Sequence, residues 1–273
     1  MCGRYVMARA TSDLVALGDA ETNEELVLRQ SWNVAPTAEV PILVAHADDG
    51  GAGVTRRIHV ARWGLVPPWA KELSVGSRAF NARSETVASK PTFRAAVRAR
   101  RCAVPVEGYY EWKTPEPGAK GPDGRAAKKQ PYYVHPAGAG DGEGPVIWFA
   151  GLYEWWQDPE AKAAGEDAWV LSTTILTMAA PDADDDDPVL AALGQLHDRL
   201  PVPMDAETMD RWLAPDTLGS AEEADALVGQ VCAGAYDVAA GWSLRPVGGA
   251  VGNVRNNGPE LTQEMREQQG TLL

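Results

Sequence analysis

The chain has 273 residues, 45% of them hydrophobic, so it can bury a sizeable core in one large domain or two small ones. Its formal net charge is −13, which on its own argues against a nucleic-acid partner. Its three cysteines match no metal-ligand spacing or disulfide framework, and we find no secretory leader and no apolar run of membrane-spanning length. We therefore expect a soluble, cytoplasmic protein with no metal site and no membrane association.

Apolar periodicity and turn chemistry predict strands mainly in the first two thirds of the chain, with helices interspersed. Because there is no regular βαβ rhythm, this order favours an α+β fold with a mostly antiparallel, barrel-like β core and flanking helices. Residues 31–37 are expected to form an extended turn, and 62–69 a structured loop because of its prolines. The predicted strands span 40–45, 54–61, 102–106, 108–113, 132–135, 146–155, 169–176 and 242–247, and the predicted helices lie at 11–17, 92–101, 189–193, 206–213 and 220–232.

We expect a single domain over residues 1–262. Within it, residues 114–130 are rich in Pro, Gly, Ala and Lys and predict a mobile surface insertion, whereas 182–187 predicts a solvated acidic loop. Residues 263–273 form a polar C-terminal tail. No internal repeat, phosphate loop or dinucleotide fingerprint is found, so we expect a monomer without a nucleotide or other cofactor.

Charge is unevenly distributed along the chain. Residues 78–101 hold seven basic side chains and one acid. A helix capped at Thr92 would place Arg94, Arg98 and Arg101 on one face. Such a stripe can follow a phosphate backbone or simply face solvent, and the spacing favours neither. An acidic protein with one basic face remains compatible with DNA.

The N-terminus offers an unusual pair of nucleophiles. Methionine aminopeptidases remove Met1 when the next side chain is small, which would leave Cys2 with a free amine and a thiol. Their ordinary pKa values, about 7.7–8.0 and about 8.5, give both groups a reactive fraction at neutral pH. An aldehyde would form an imine with the amine, and the sulfur would then close a thiazolidine ring. Position alone favours the alternative, a small buried side chain.

Six short motifs occur in a fixed order along most of the chain. Together they resemble the SRAP family, named for SOS response-associated peptidases and abasic-site processing proteins. Each motif is weak alone, and the set is specific. The motifs are CGRY at 2–5, WGLVP at 63–67, NARSET at 81–86, EGYYEW at 107–112, HDRLP at 197–201 and VGNVRN at 251–256.

The resemblance implies a protein that senses abasic sites in single-stranded DNA and shields them through a covalent thiazolidine. Four residues match the family's catalytic positions: Cys2 as nucleophile, with Asn81, Glu111 and His197 as supporting polar groups. The resemblance also implies that two arginines, Arg83 and Arg199, contact DNA; to these we add Arg4 as a further DNA-binding candidate and two tryptophans as stacking platforms for bases. These five residues are Arg4, Arg83, Arg199, Trp63 and Trp69.

The chemistry of these side chains agrees with those roles and leaves alternatives open. A carboxylate such as Glu111 can relay protons during imine formation, and His197 can protonate the sugar ring oxygen to favour the open aldehyde. Singly, each could be an ordinary surface or core residue, and for Trp63 and Trp69 we favour a packing role slightly. Two other functions remain: an N-terminal-nucleophile peptidase in which Asn81 stabilises an oxyanion, and a non-covalent reader of flipped bases.

Overall fold

The computed structural model describes residues 2–22, 26, 28–48, 53–121, 123–138 and 144–265. These form thirteen strands, seven α-helices and four short 3₁₀ helices. The strands are β1 (Tyr5–Met7), β2 (Ser31–Val34), β3 (Glu39–Ala47), β4 (Val54–Trp63), β5 (Asn81–Arg83), β6 (Arg101–Val106), β7 (Gly108–Lys113), β8 (Gln130–Pro136), β9 (Ile147–Gln157), β10 (Trp169–Ala179), β11 (Arg199–Pro201), β12 (Pro203–Met204) and β13 (Trp242–Pro246). The α-helices are α1 (Thr11–Gly18), α2 (Arg94–Ala99), α3 (Pro159–Ala163), α4 (Pro188–Leu196), α5 (Ala206–Leu213), α6 (Ala221–Ala233) and α7 (Ala235–Ala239). The 3₁₀ helices span Leu73–Arg78, Ser84–Thr86, Gly249–Gly252 and Pro259–Thr262.

Five strands close into a barrel in the order β10, β4, β3, β6 and β9, because β9 also pairs with β10. Only the β4–β10 contact in this ring is parallel; the other four are antiparallel. The predicted α+β fold with a mostly antiparallel, barrel-like core is therefore confirmed. Gly151 permits close approach of β9 to its neighbours, since a Cβ there would lie 2.9 Å from the carbonyl oxygen of Thr174.

A second sheet, entirely antiparallel, has the order β13, β8, β7, β1 and β2. It packs onto the barrel through edge-to-face contacts of Tyr109 and Trp242 with Phe149 of β9. All six residues of β6 are buried, as expected for a strand covered on both faces. This second sheet positions the candidate site because it carries the N-terminal strand β1 and, on β7, Glu111.

Most of the predicted elements are found, and the helix expected around residue 92 is the main exception. Helix α2 begins only at Arg94, Thr92 does not cap it, and Arg101 lies in β6. The predicted arginine stripe is therefore wrong: the Arg101 side chain points into the protein, where it donates to the carbonyls of Trp212 and Asp216 among others. Residues 31–34, predicted as part of a turn, form β2 because β1 supplies a pairing partner.

Two helices begin at the capping residues that the sequence pattern indicates. Ser220 caps α6 by accepting a hydrogen bond from the Glu223 N–H at 3.2 Å, and Asp187 of the acidic loop caps α4. At the start of the C-terminal tail, Glu264 bridges to Val247, whereas residues 266–273 lie outside the described part. The loop of the β3–β4 hairpin, at 49–52, also lies outside it. None of the described helices is long and apolar enough to cross a bilayer.

Candidate functional site

The N-terminal strand is held against β7 in a register that brings Cys2 toward Glu111. Tyr5 pairs with Tyr109, and the Tyr110 N–H donates to the Arg4 carbonyl at 2.9 Å. Continuing this antiparallel register toward the N-terminus runs the chain at residues 2 and 3 beside the end of β7. Glu111 lies on that end and is 4% exposed.

Asn81 fixes the other side of the N-terminal segment. Its Nδ2 donates to the Cys2 carbonyl at 2.8 Å. Asn81 begins β5, which pairs in parallel with β10 at Ile175, so the barrel positions this amide. Cys2 itself is fully buried. Two separate sheets therefore converge on the first described residue of the chain.

His197 approaches Glu111 from a third direction. It follows the last turn of α4, and its Nε2 lies 4.0 Å from Glu111 Oε2. The Arg199 N–H donates to His197 Nδ1 at 3.0 Å, while an Asp198 oxygen lies 2.8 Å from the same nitrogen. Because the Asp198 side chain is 86% exposed, the backbone N–H is the more constrained partner. These contacts hold the Nδ1 side of the ring, so that Nε2 faces the Glu111 carboxylate.

Burial controls the protonation of the thiol. It raises the pKa of the Cys2 thiol far above its ordinary value, and the nearby Glu111 carboxylate raises this pKa further. Burial likewise raises the pKa of the Tyr5 and Tyr109 phenols, with a smaller contribution from Cys2. The resting thiol is therefore neutral, and any reaction through sulfur needs an acceptor for its proton.

Arg4 lies close to the cluster and faces inward. Its Nη1 donates to Asn33 Oδ1 at 3.0 Å and to the Val251 carbonyl at 3.1 Å. Asn33 in turn donates to the carbonyls of Val251, Asn253 and Asn256. Burial lowers the pKa of Arg4. These contacts join the first and last of the six motifs into one polar network.

Arg83 and Arg199 flank the same end of β10, where Thr177 pairs with Arg83 and Ala179 with Arg199. Their surroundings differ. Arg83 is exposed, and no ion pair in the described part of the chain includes it. The Arg199 guanidinium is 13% exposed and grips Glu85 with both terminal nitrogens. It also donates to the Thr177 carbonyl at 2.7 Å.

The two candidate tryptophans have opposite environments. Trp63 is fully buried, donates from Nε1 to the Phe80 carbonyl at 2.9 Å, and contacts the Tyr5 ring at 5.0 Å. It offers no open face to a base, so the prediction of stacking at Trp63 is wrong and packing under Tyr5 is its role. Trp69 is 62% exposed and is available for stacking.

Sequence reasoning overlooked Glu85 and Tyr5. Glu85 belongs to the NARSET motif, yet only the placement of β5 and β11 beside β10 shows that it pairs with Arg199. The Tyr5 hydroxyl is buried and has no hydrogen-bond partner among the described residues. Its position in CGRY was the available signal, but an aromatic residue in a strand usually indicates core packing. Within the described residues, no group of three or more His, Cys, Asp or Glu side chains could hold a metal ion.

Comparison with solved structures supports the fold. A crystallised protein from Bacteroides thetaiotaomicron matches with a TM-score of 0.69 at 20% identity, covering 97% of this chain and all of that one. A protein from Bordetella bronchiseptica matches with a TM-score of 0.58 at 21% identity, covering 90% of this chain and all of that one.

Sequence comparison identifies the family. The abasic site processing protein YoqW of Bacillus subtilis is 30% identical over 264 residues, which is 96% of this chain and 99% of that protein. The abasic site processing protein HMCES of Rattus norvegicus is 27% identical over 256 residues, which is 84% of this chain and 64% of that protein. The model of the SOS response associated peptidase family, SRAP, matches residues 1–254. Together with the convergence of Cys2, Asn81, Glu111 and His197, this match establishes that the chain belongs to the SRAP family.

Proposed function

We propose that this protein captures abasic sites in single-stranded DNA as a covalent thiazolidine formed by Cys2 after removal of Met1. The observation that carries the proposal is the convergence at Cys2. Asn81 holds its carbonyl at 2.8 Å, and the buried Glu111 lies near enough to raise the pKa of its thiol. The names of the relatives, abasic site processing proteins, support the choice of substrate.

The first step is imine formation. The free amine of Cys2 adds to C1′ of the ring-opened sugar, and the resulting carbinolamine loses water to give the imine. Glu111 is the group we propose to take a proton from the attacking amine and return one to the departing hydroxyl. Asn81 cannot titrate, so its role is to hold the Cys2 backbone in one orientation while both bonds form.

The second step is ring closure. The sulfur adds to the imine carbon, the C=N bond becomes a single bond, and a proton reaches the nitrogen, so that one water is released overall. Because the buried thiol is neutral, its proton must leave as the C–S bond forms. We propose Glu111, whose charge raises the pKa of this thiol, as the acceptor of that proton. A base in the same pocket thus serves both steps.

His197 and the surrounding side chains complete the proposal. His197, whose Nε2 faces Glu111, is proposed to donate a proton from Nε2 to the sugar ring oxygen and so favour the open aldehyde. Arg83 and Arg199 are proposed to hold phosphates on either side of β10, and Arg4 to support the strand beneath them. Trp69 is proposed to stack on a neighbouring base.

The test is an adduct assay with mature protein and single-stranded DNA that carries one abasic site. We expect a heat- and detergent-stable adduct that is lost in Cys2→Ala and when Met1 is retained. Cys232→Ala is a matched control, because this half-buried thiol lies near Ser84 and Glu85 rather than at the N-terminus. An adduct that persists in Cys2→Ala would refute the thiazolidine.

Two further measurements on the same mature protein, peptide turnover and DNA binding at several salt concentrations, separate the other two functions considered for the sequence. Turnover of a peptide substrate without an adduct would favour a peptidase that uses Cys2 for acyl transfer. Salt-sensitive DNA binding without an adduct would favour a non-covalent reader.

A further inference from the structure

Two exposed tryptophans outside the site line a cleft on the barrel. Trp155 is 44% exposed and Trp169 is 50% exposed, and both border a cleft of about 590 Å³. Large aromatic side chains are normally buried at least in part against the core, so two exposed indoles in one cleft indicate an interaction surface. Neither residue belongs to any of the six motifs.

The cleft has a structural origin in the barrel. Strands β4 and β10 pair only at Arg62 with Ser172 and at Trp63 with Thr173. Before those pairs the two strands separate, and Val60 and Val170 line opposite walls of the gap. The cleft is therefore built into the way the barrel closes.

The pairing of β9 with β10 fixes the relative positions of the two indoles. Trp155 pairs with Leu171, and Trp169 pairs with Gln157, so the tryptophans are diagonal neighbours on adjacent strands. Such neighbours lie about 7–8 Å apart, with their Cβ atoms somewhat closer, which is within reach of aromatic side chains. Trp169 Nε1 donates to Asp167 at 2.7 Å, which orients that ring. Rings held in place lose little conformational freedom when a flat group stacks on them.

This cleft adjoins a second one, which reaches the polar network around Arg4 through Asn33. The second cleft, of about 670 Å³, shares Thr37 and Glu39 with the first and is lined by Asn33, the partner of Arg4. Arg62 lies at the junction, where its Nη1 donates to the Thr37 carbonyl at 2.8 Å.

The charge of the two clefts taken together favours an anionic ligand. Arg29 and Arg255 line the second cleft and Arg62 lines the first, against the acid Glu39 that lines both, although the whole chain carries −13. Asp167 adds one carboxylate beside the first cleft, where it accepts from Trp169 Nε1. Basic grooves with exposed aromatic rings are the usual combination for unpaired nucleotides.

We propose that Trp155 and Trp169 form a stacking platform for unpaired nucleotides of the same DNA strand, at a distance from the abasic site. The proposal rests on the proposed function, because that function brings single-stranded DNA to the protein. The platform would add affinity for long strands without taking part in the reaction at Cys2.

The test measures binding of oligothymidylates that lack an abasic site, about 4 and about 16 nucleotides long. We expect Trp155→Ala and Trp169→Ala each to weaken binding of the long oligonucleotide by about 5- to 100-fold. Binding of the short one should change by less than about twofold. Trp155→Phe and Trp169→Phe should restore much of the loss because a ring remains.

Leu17→Ala is the control, since this exposed side chain lies on α1. Long-strand affinity that stays at the wild-type level in both alanine variants would overturn the platform. Failure of the wild type to form an adduct with a short abasic oligonucleotide would overturn the proposed function instead. The two failures are separable because the binding assay contains no abasic site.

Discussion

The same sequence motifs supply the pocket around Cys2 and the arginine pair beside β10, Arg83 and Arg199. The two regions differ in how far their side chains are buried and fixed by neighbouring strands. Cys2 and Glu111 are 0% and 4% exposed, and strands from two sheets fix their positions. Arg83 is exposed, and Arg199 is occupied by a carboxylate from its own chain. Residues in the pocket should therefore control the rate of bond formation, whereas the arginines should control affinity and its dependence on salt.

The largest expected effect tests the pocket. Glu111→Gln keeps the side chain's shape but removes the proton acceptor, so the single-turnover rate of adduct formation should fall by about 10²- to 10⁴-fold. DNA binding should change little. Glu107→Gln is the matched control, because Glu107 instead accepts from the Ala8 N–H and pairs with Arg9 at 3.3 Å. Adduct formation at the wild-type rate in Glu111→Gln would remove Glu111 from the chemistry.

The same contrast explains what the sequence could predict about the site. Cys2, Asn81, Glu111 and His197 are marked by short motifs whose residue types suit the chemistry, and the structure brings all four together. Trp63 also belongs to such a motif, yet it is core. A motif indicates that a residue matters, but only its burial distinguishes contact with a ligand from support beneath one.

For the fold, local patterns predicted most strands and the antiparallel barrel, but could not predict how the barrel closes. Closure depends on β10 pairing with both β9 and β4, and the partners in the β4–β10 contact are more than a hundred residues apart. Periodicity within a window carries no information about such pairs. For the same reason the sequence did not predict β2, because its strand conformation depends on pairing with β1.

The next largest expected effect is a loss of stability on replacing Arg101. It tests whether a buried side chain of a basic segment supports the fold and does not contact a ligand. Its guanidinium is buried and donates to five backbone carbonyls, those of Trp212, Val97, Arg98, Ala214 and Asp216. Arg101→Ala leaves several of these acceptors without a partner and should lower the free energy of unfolding by about 2–4 kcal/mol.

Urea denaturation of Arg101→Ala beside Arg94→Ala measures this difference. Arg94 is exposed on α2, so its replacement should leave stability nearly unchanged. Equal changes in unfolding free energy for the two substitutions would mean that Arg101 faces solvent as Arg94 does.

A smaller effect concerns the exposed arginine. Arg83→Ala should weaken binding of single-stranded DNA several-fold and reduce the slope of log affinity against log salt by about one. Glu85→Gln should act in the opposite direction, because it frees the Arg199 guanidinium for a phosphate. Titrations at several salt concentrations measure both slopes. Identical slopes in wild type and Glu85→Gln would mean that Arg199 serves only to hold the loop.

The smallest effect compares two buried thiols. Cys102 is fully buried in the barrel, and burial raises its pKa to about 12, opposed by a weaker contact with Thr173 Oγ1 at 3.5 Å. An unfolded thiol titrates near pH 8.5. Between about pH 8.5 and about 12 the unfolded chain releases this proton and the folded chain keeps it, so stability should fall with rising pH by up to about 1.4 kcal/mol per unit.

Urea denaturation between pH 8 and pH 10 under reducing conditions measures that slope. Cys102→Ala should make it shallower, while leaving a remainder from the buried Cys2 thiol and, near pH 10, from the buried phenols of Tyr5 and Tyr109. Cys102→Ala should also leave adduct formation intact, because Cys2 lies beside Glu111 whereas Cys102 is buried in the barrel beside Thr173. An unchanged pH slope in Cys102→Ala would mean that the barrel admits water to this thiol. The contrast between the two cysteines would then rest on their position in the chain rather than on burial.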